Sequence, residues 1–174
     1  MNLRLLAFVL GEIAVIIGAL MSIPLFMAIG YGEDTTILGF GIAIGACLLL
    51  GVVGILVRPP KDKRDMRSTS GFAMCALFWI FIALVSAIPF RVSGYIPNYI
   101  DALFETISGY TTTGSSILTN VEALPKSLLF WRSLTQFIGG MGVLVFVIVF
   151  IPQNDKMSTA LAKAEIPGPS FGKI

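Results

Sequence analysis

Apolar runs long enough to cross a bilayer alternate along this chain with short polar connections. Four of them, over 5–29, 37–57, 71–90 and 133–152, come close to the ~20 residues that a helix rising ~1.5 Å per residue needs to cross ~30 Å of hydrocarbon. The stretch between the third and fourth runs has a different pattern. Asn98 stands where it can cap a helix over 98–109, Asp101 sits three residues on in the capping-box position and favours the positive end, and Gly109 supplies a stop. At ~1.5 Å per residue such a helix is ~18 Å long, too short to span, so it can only dip in and return. The chain then climbs back through SGYTTTGSS, 108–116, to a turn at Pro125 and Lys126. The predicted fold is all-α integral membrane: four transmembrane helices plus one re-entrant pore helix and its loop.

Composition supports that class. Of 174 residues, 56% are hydrophobic and only 13% charged, whereas soluble domains carry roughly a quarter charged residues. The net charge is +2 and the cations form no stripe that a nucleic acid backbone could follow, so membrane lipid is the expected partner and nucleic acid is not. The cations report topology instead, because short cytoplasmic loops collect Lys and Arg. Arg4 precedes the first run, the first connection holds Glu33 and Asp34, and the second holds Arg58, Lys61, Lys63, Arg64 and Arg67. That second loop is therefore placed in the cytoplasm. Lys156, Lys163 and Lys173 then fall on the same side, with both termini cytoplasmic, 91–132 outside, and the protein multi-pass in the inner (plasma) membrane. The first run is too long for a signal peptide and lacks a small-residue cleavage site. Cys47 and Cys75 lie within apolar runs, no His is present, and no catalytic constellation is visible, so neither an enzyme, a disulfide framework nor a cofactor is expected.

The polar run carries the candidate chemistry. A re-entrant helix aims its C-terminal end, with about half a negative charge, into the membrane, where a cation is favoured. Thr111, Thr112, Thr113 and Gly114 are short, have no ionisable group, and leave carbonyls free to replace an ion's hydration shell. Gly114 tolerates the positive φ that aligned carbonyls require and that β-branched threonine resists. Threonine hydroxyls can add a further oxygen. Irregular backbone at membrane depth survives only when packed in protein or lining an aqueous path. The competing reading is a solvated Thr/Ser-rich outer loop with no role.

Three motifs then occur in order: DALFETISGYTTTGSSIL at 101–118, WRSLTQFIGGMGVLVFVIVFIP at 131–152 and AEIPGP at 164–169. Together they resemble the first pore repeat of the Trk/Ktr superfamily of bacterial potassium uptake proteins, and the two preceding runs resemble the extra N-terminal helix pair of its Trk branch. In that family each repeat is helix, pore helix, filter, helix, and four repeats surround one potassium pathway. The resemblance implies that Thr111, Thr112, Thr113, Gly114 and Ser115 form one quarter of a cation filter. Potassium, the transported substrate, is then held at Thr112 and Thr113. Glu105, Gly109 and Gln136 are expected to support the strand, Gln136 through a hydrogen bond to its back side or else through one to another helix. It implies an N-terminal helix pair at 1–58, a basic cytoplasmic loop at 59–70, a pore repeat at 71–152 with its filter at 110–116, and a cytoplasmic connector at 153–174. It also implies a cytoplasmic nucleotide-binding regulatory ring as partner.

Family members carry three further repeats, and one strand supplies only a quarter of an ion's shell. The expectation is an N-terminal piece of a split or truncated pore. Conduction then needs a homo-oligomer or a separately encoded chain, and the alternative is a non-conducting fragment or a small membrane assembly protein.

Other residues carry quieter expectations. Glu12 is placed within reach of the cytoplasmic interface or a neighbouring helix, with an ion path as the lesser reading. Glu105 is expected to accept hydrogen bonds from amides that hold the filter, with direct ion binding as the alternative. Gly139, Gly140 and Gly142 permit close approach of the pore helix or a bend, Gly41 and Gly45 form a GxxxG pair, and Pro24 and Pro89 terminate or kink their runs. Trp131 and Arg132 read as interfacial anchors.

Overall fold

The computed structural model describes residues 3–57 and 68–150, and among the described residues there is no strand. The basic segment 58–67 and everything from 151 onward, including AEIPGP, lie outside the described residues, as do the side chains of 68–75 and 143–150.

Helix α1, Leu3–Tyr31, and helix α2, Asp34–Leu56, are joined by Gly32 and Glu33 alone. Gly32 takes a φ of +69°, which turns the corner where a side chain would be strained. So short a connection makes the two helices antiparallel neighbours, and glycine lets them approach. A Cβ on Gly11 would come 2.7 Å from Gly54 Cα, and one on Gly18 would come 2.9 Å from Cys47 Cβ. The GxxxG pair Gly41 and Gly45 takes no part in this contact and has open space around it. Residues Arg4–Tyr31 and Asp34–Leu56 are long and apolar enough to cross a membrane. Their outward side chains fit lipid: Phe26 is 71% and Leu49 70% exposed.

The third apolar run is broken. Helix α3, Ser68–Ser86, stops at Ala87, and a short helix α4, Ile88–Val92, resumes with Pro89 in its first turn. Proline lacks the N–H that would continue the ladder, which is why the break falls there. Pro24 by contrast lies inside α1 without ending it. Helix α5, Tyr99–Tyr110, is the short capped element, and helix α6, Lys126–Phe150, begins ahead of the expected 133. The early start has a packing reason: Leu128 and Trp131, in the first turns, are fully buried. A 3-10 turn, Val121–Ala123, precedes it.

The chain divides into two compact units, Met1–Gly139 and Gly140–Ile174. In the second, the described residues are the continuation of α6 to Phe150. The core of the first gathers Met21, Phe40, Ile82, Phe90, Leu128 and Trp131.

Candidate functional site

The N-terminus of α5 is fixed as the sequence predicts: Asn98 is the cap, and its side chain accepts from the Ile100 amide at 3.1 Å. Three side chains fasten the helix to its neighbour. Tyr99 Oη donates to Leu84 O at 2.7 Å, Thr106 Oγ1 donates to Ala83 O at 3.1 Å, and Tyr110 Oη pairs with Ser86 Oγ at 2.7 Å. Helix α6 covers another side. A Cβ at Gly109 would fall on Thr135 Oγ1, and one at Gly139 would fall on the Tyr110 carbonyl. Close packing by small residues thus brings α5 and α6 together. Gly109 does not stop the helix, which runs on through Tyr110; its lack of a side chain serves the contact with Thr135. Gly140 and Gly142 belong to the second unit.

Beyond Tyr110 the chain folds back along the helix it has just left. The amides of Thr111, Thr112, Thr113 and Gly114 donate to the carbonyls of Ile107, Gly109, Ser108 and Ser108, at 2.9, 2.9, 3.0 and 3.3 Å. Positive φ occurs at Gly114, +75°, as expected, and also at Thr112, +56°. Threonine does adopt the left-handed region here, a strained position for a β-branched residue, held because the amides on either side are tied to α5.

All three threonine hydroxyls are engaged within the loop. Thr111 Oγ1 donates to Ile107 O at 2.8 Å and pairs with Thr113 Oγ1 at 2.8 Å, and Thr112 Oγ1 donates to Thr111 O at 2.7 Å. The carbonyls sort themselves accordingly. Ser115 O accepts from Ser108 Oγ at 2.5 Å, and Gly114 O receives Arg132 Nη2 at 3.5 Å. Among the described residues, nothing donates to the carbonyls of Thr112 and Thr113, on an exposed stretch of chain.

The back of the loop rests on Glu105, which is 2% exposed. Its carboxylate accepts from Ser116 Oγ at 3.0 Å and from the Ile117 amide at 3.2 Å, and Arg132 Nε forms an ion pair with it. Glu105 thus accepts one backbone amide, that of Ile117, just past 110–116. Gln136 is close by, its Nε2 lying 3.3 Å from where a Gly114 Cβ would sit.

Two expectations are corrected. Arg132 is no interfacial anchor, since its guanidinium joins Glu105 to Gly114 O. Trp131 is not one either: it is fully buried, donates Nε1–H to Ser86 O at 3.2 Å, and meets Phe40 edge-on at 6.3 Å. Glu12 lies exposed on α1.

A short helix capped at one end, close-packed by glycine at the other and followed by a returning strand with two open carbonyls can be compared with known proteins. The TrkH family model, described as a cation transport protein, matches residues 40–174. The chain belongs to the TrkH family. The Trk system potassium uptake protein TrkH of Halomonas elongata is 31% identical over 171 residues, which cover 97% of this chain and 35% of that protein. TrkH of Escherichia coli K12 is 33% identical over 174 residues, again 97% of this chain and 35% of the relative. The crystal structure of the potassium transporter TrkH from Vibrio parahaemolyticus superposes with a TM-score of 0.77 at 25% identity, over 94% of this chain and 37% of that one. The chain thus spans about a third of the length of the curated TrkH relatives it matches.

Within the TrkH frame, the loop residues expected from the sequence, Thr111 to Ser115, are brought together with Glu105, Gly109 and Gln136 at one place. The role of Arg132 behind the loop and the bond of Ser116 to Glu105 are not foreseen in the sequence. The one signal pointing to Arg132 was a buried-type carboxylate in a short helix that needs a cation.

Proposed function

We propose that this chain supplies one of the four strands of a potassium filter in a membrane uptake system, with Thr111, Thr112, Thr113, Gly114 and Ser115 as that strand. The support is the pair of open carbonyls at Thr112 and Thr113, on an exposed loop whose amides at 111–114 are tied to α5 and whose Thr111, Gly114 and Ser115 carbonyls have donors. An ion leaving water needs oxygens that are already aligned and not spoken for. Potassium is the transported substrate and is held at Thr112 and Thr113, while Glu105, Gly109 and Gln136 support the strand from behind. Helix α5 is the re-entrant pore helix, α3 with α4 and α6 flank it, and α1 with α2 form an N-terminal pair. The mechanism is passage through carbonyl sites with no covalent chemistry.

The other three strands come from further repeats, because one strand alone completes no coordination shell. The abundance of Lys and Arg at 58–67 supports a cytoplasmic position for that loop and for both termini, where anionic lipid and a nucleotide-binding regulatory ring are the partners.

Potassium uptake by the assembled transporter in liposomes tests the proposal. A carboxylate beside the strand traps or blocks the ion, and a side chain at Gly114 is strained at its φ of +75°, so Gly114→Asp is expected to cut uptake by about a hundredfold or more. Uptake unchanged in that variant refutes the filter assignment and leaves a non-conducting assembly role.

A further inference from the structure

Helix α6 has an unusual beginning. The first N–H groups of a helix have no partner within it, and a Ser, Thr, Asp or Asn just ahead normally accepts from them. Here the residue ahead of Lys126 is Pro125, which has no side chain that can do so. The acceptor comes from the far end of the sequence. Glu33, in the corner between α1 and α2, takes the Lys126 amide on Oε1 at 2.9 Å and the Ser127 amide on Oε2 at 3.3 Å. Ser127 Oγ also donates to Oε2. Thr36, fully buried, stands 3.1 Å from Ser127 Oγ and donates to Glu33 O at 2.8 Å. Lys126 Nζ lies 4.5 Å above the centre of the Tyr31 ring. A carboxylate at the positive end of a helix is electrostatically favoured, and this one ties the N-terminal helix pair to the helix that holds the loop.

We infer that Glu33 is a positioning residue for the potassium strand: it sets how far α6 sits along its axis, and α6 passes that setting to Gly114 through Arg132. The inference rests on the filter assignment above. A helix moves as a rod, so displacement of its first turn is carried to Arg132 within two turns of Lys126. Arg132 touches both Glu105 and Gly114 O. Further along the same helix, Thr135 and Gly139 contact Gly109 and the Tyr110 carbonyl, and Gln136 faces Gly114. Phe40 against Trp131, at 6.3 Å, is a second contact between α2 and α6, and Trp131 Nε1–H also ties α6 to Ser86 O, whereas Glu33 alone holds the first turn by its amides.

The test combines amide hydrogen exchange on the full chain in lipid nanodiscs with potassium-to-sodium uptake ratios of the assembled transporter. In Glu33→Ala, exchange is expected to rise about tenfold at Lys126 and Ser127 and severalfold at the remote amides of Gly114 and Ile117, and the uptake ratio to fall about threefold or more. Asp34→Asn, one residue away on an exposed carboxylate, is expected to change neither. If Glu33→Ala does not fold, Glu33→Gln, which keeps one acceptor, carries the same measurement with about a threefold change at Lys126. Faster exchange at Lys126 with none at Gly114 or Ile117 overturns the inference, because the cap is then only local. No change at Lys126 overturns it as well. Gly114→Asp separates the two ideas. If it abolishes uptake while Glu33→Ala alters neither exchange nor ratio, the coupling alone is wrong; if it leaves uptake intact, the filter assignment fails and the transport half of the inference falls with it.

Discussion

Removing the guanidinium of Arg132 should expose how much of the loop depends on one ion pair. Glu105 has a side chain 0% exposed and Arg132 one 22% exposed, so Arg132→Met leaves a buried carboxylate with only Ser116 Oγ and the Ile117 amide for company. Breaking a buried pair on one side costs about 3–5 kcal/mol, and partial access of water to the Arg132 site puts this case near the low end, about 3 kcal/mol. Glu105→Gln removes the charge but retains an oxygen for the amide, and the stranded guanidinium can turn to water, so its cost is about 1–2 kcal/mol. The double variant has no buried charge left to compensate and should cost little more than Glu105→Gln alone. Reversible unfolding in mixed detergent micelles measures all four proteins, and the double-mutant cycle should return a coupling of about 2–3 kcal/mol. A coupling below about 0.5 kcal/mol, the level at which independent sites add, refutes the claim that this pair holds the loop.

Packing and strain yield two more expectations by the same unfolding assay. Gly139→Ala drives a methyl group into the Tyr110 carbonyl, and since backbone cannot rotate away the loss should be about 3 kcal/mol. Gly41→Ala, in open space, should be neutral or stabilising by up to about 1 kcal/mol from helix propensity; equal losses at both sites would contradict the packing. Thr112→Gly relieves a φ of +56°, worth about 1–3 kcal/mol, against about 0.5–1 kcal/mol of added chain entropy. A net gain near 1 kcal/mol is expected, and a loss larger than that would show that Thr112 is not strained.

Much of this arrangement is legible in the sequence. The cap at Asn98, the short helix after it and the positive φ of Gly114 depend on neighbours a few residues apart, and those neighbours are printed in the sequence. That Glu105 accepts a backbone amide is legible too, because a carboxylate in a short helix beside a polar loop has free amides within reach. Trp131 and Arg132 were misplaced for one reason. An aromatic beside a basic residue near the end of an apolar run has the composition of an interfacial anchor, but α6 begins at Lys126, so both residues fall a turn or more inside it, against α2, α3 and α5. Glu33 was read only for its charge, because its partners Lys126 and Ser127 lie more than ninety residues away.

The sequence by itself determined that the chain is built of apolar helices with one polar, glycine-punctuated return, since hydrophobic runs, caps and glycine act through local geometry and through transfer out of water. Which oxygens of that return stay open was decided only by the tertiary structure. Every loop residue offers a carbonyl, and those of Thr112 and Thr113 stay open while Thr112 Oγ1, Arg132 and Ser108 Oγ take those of Thr111, Gly114 and Ser115. Hydrogen bonding is a competition among all groups within reach, and reach across helices exists only after they have packed.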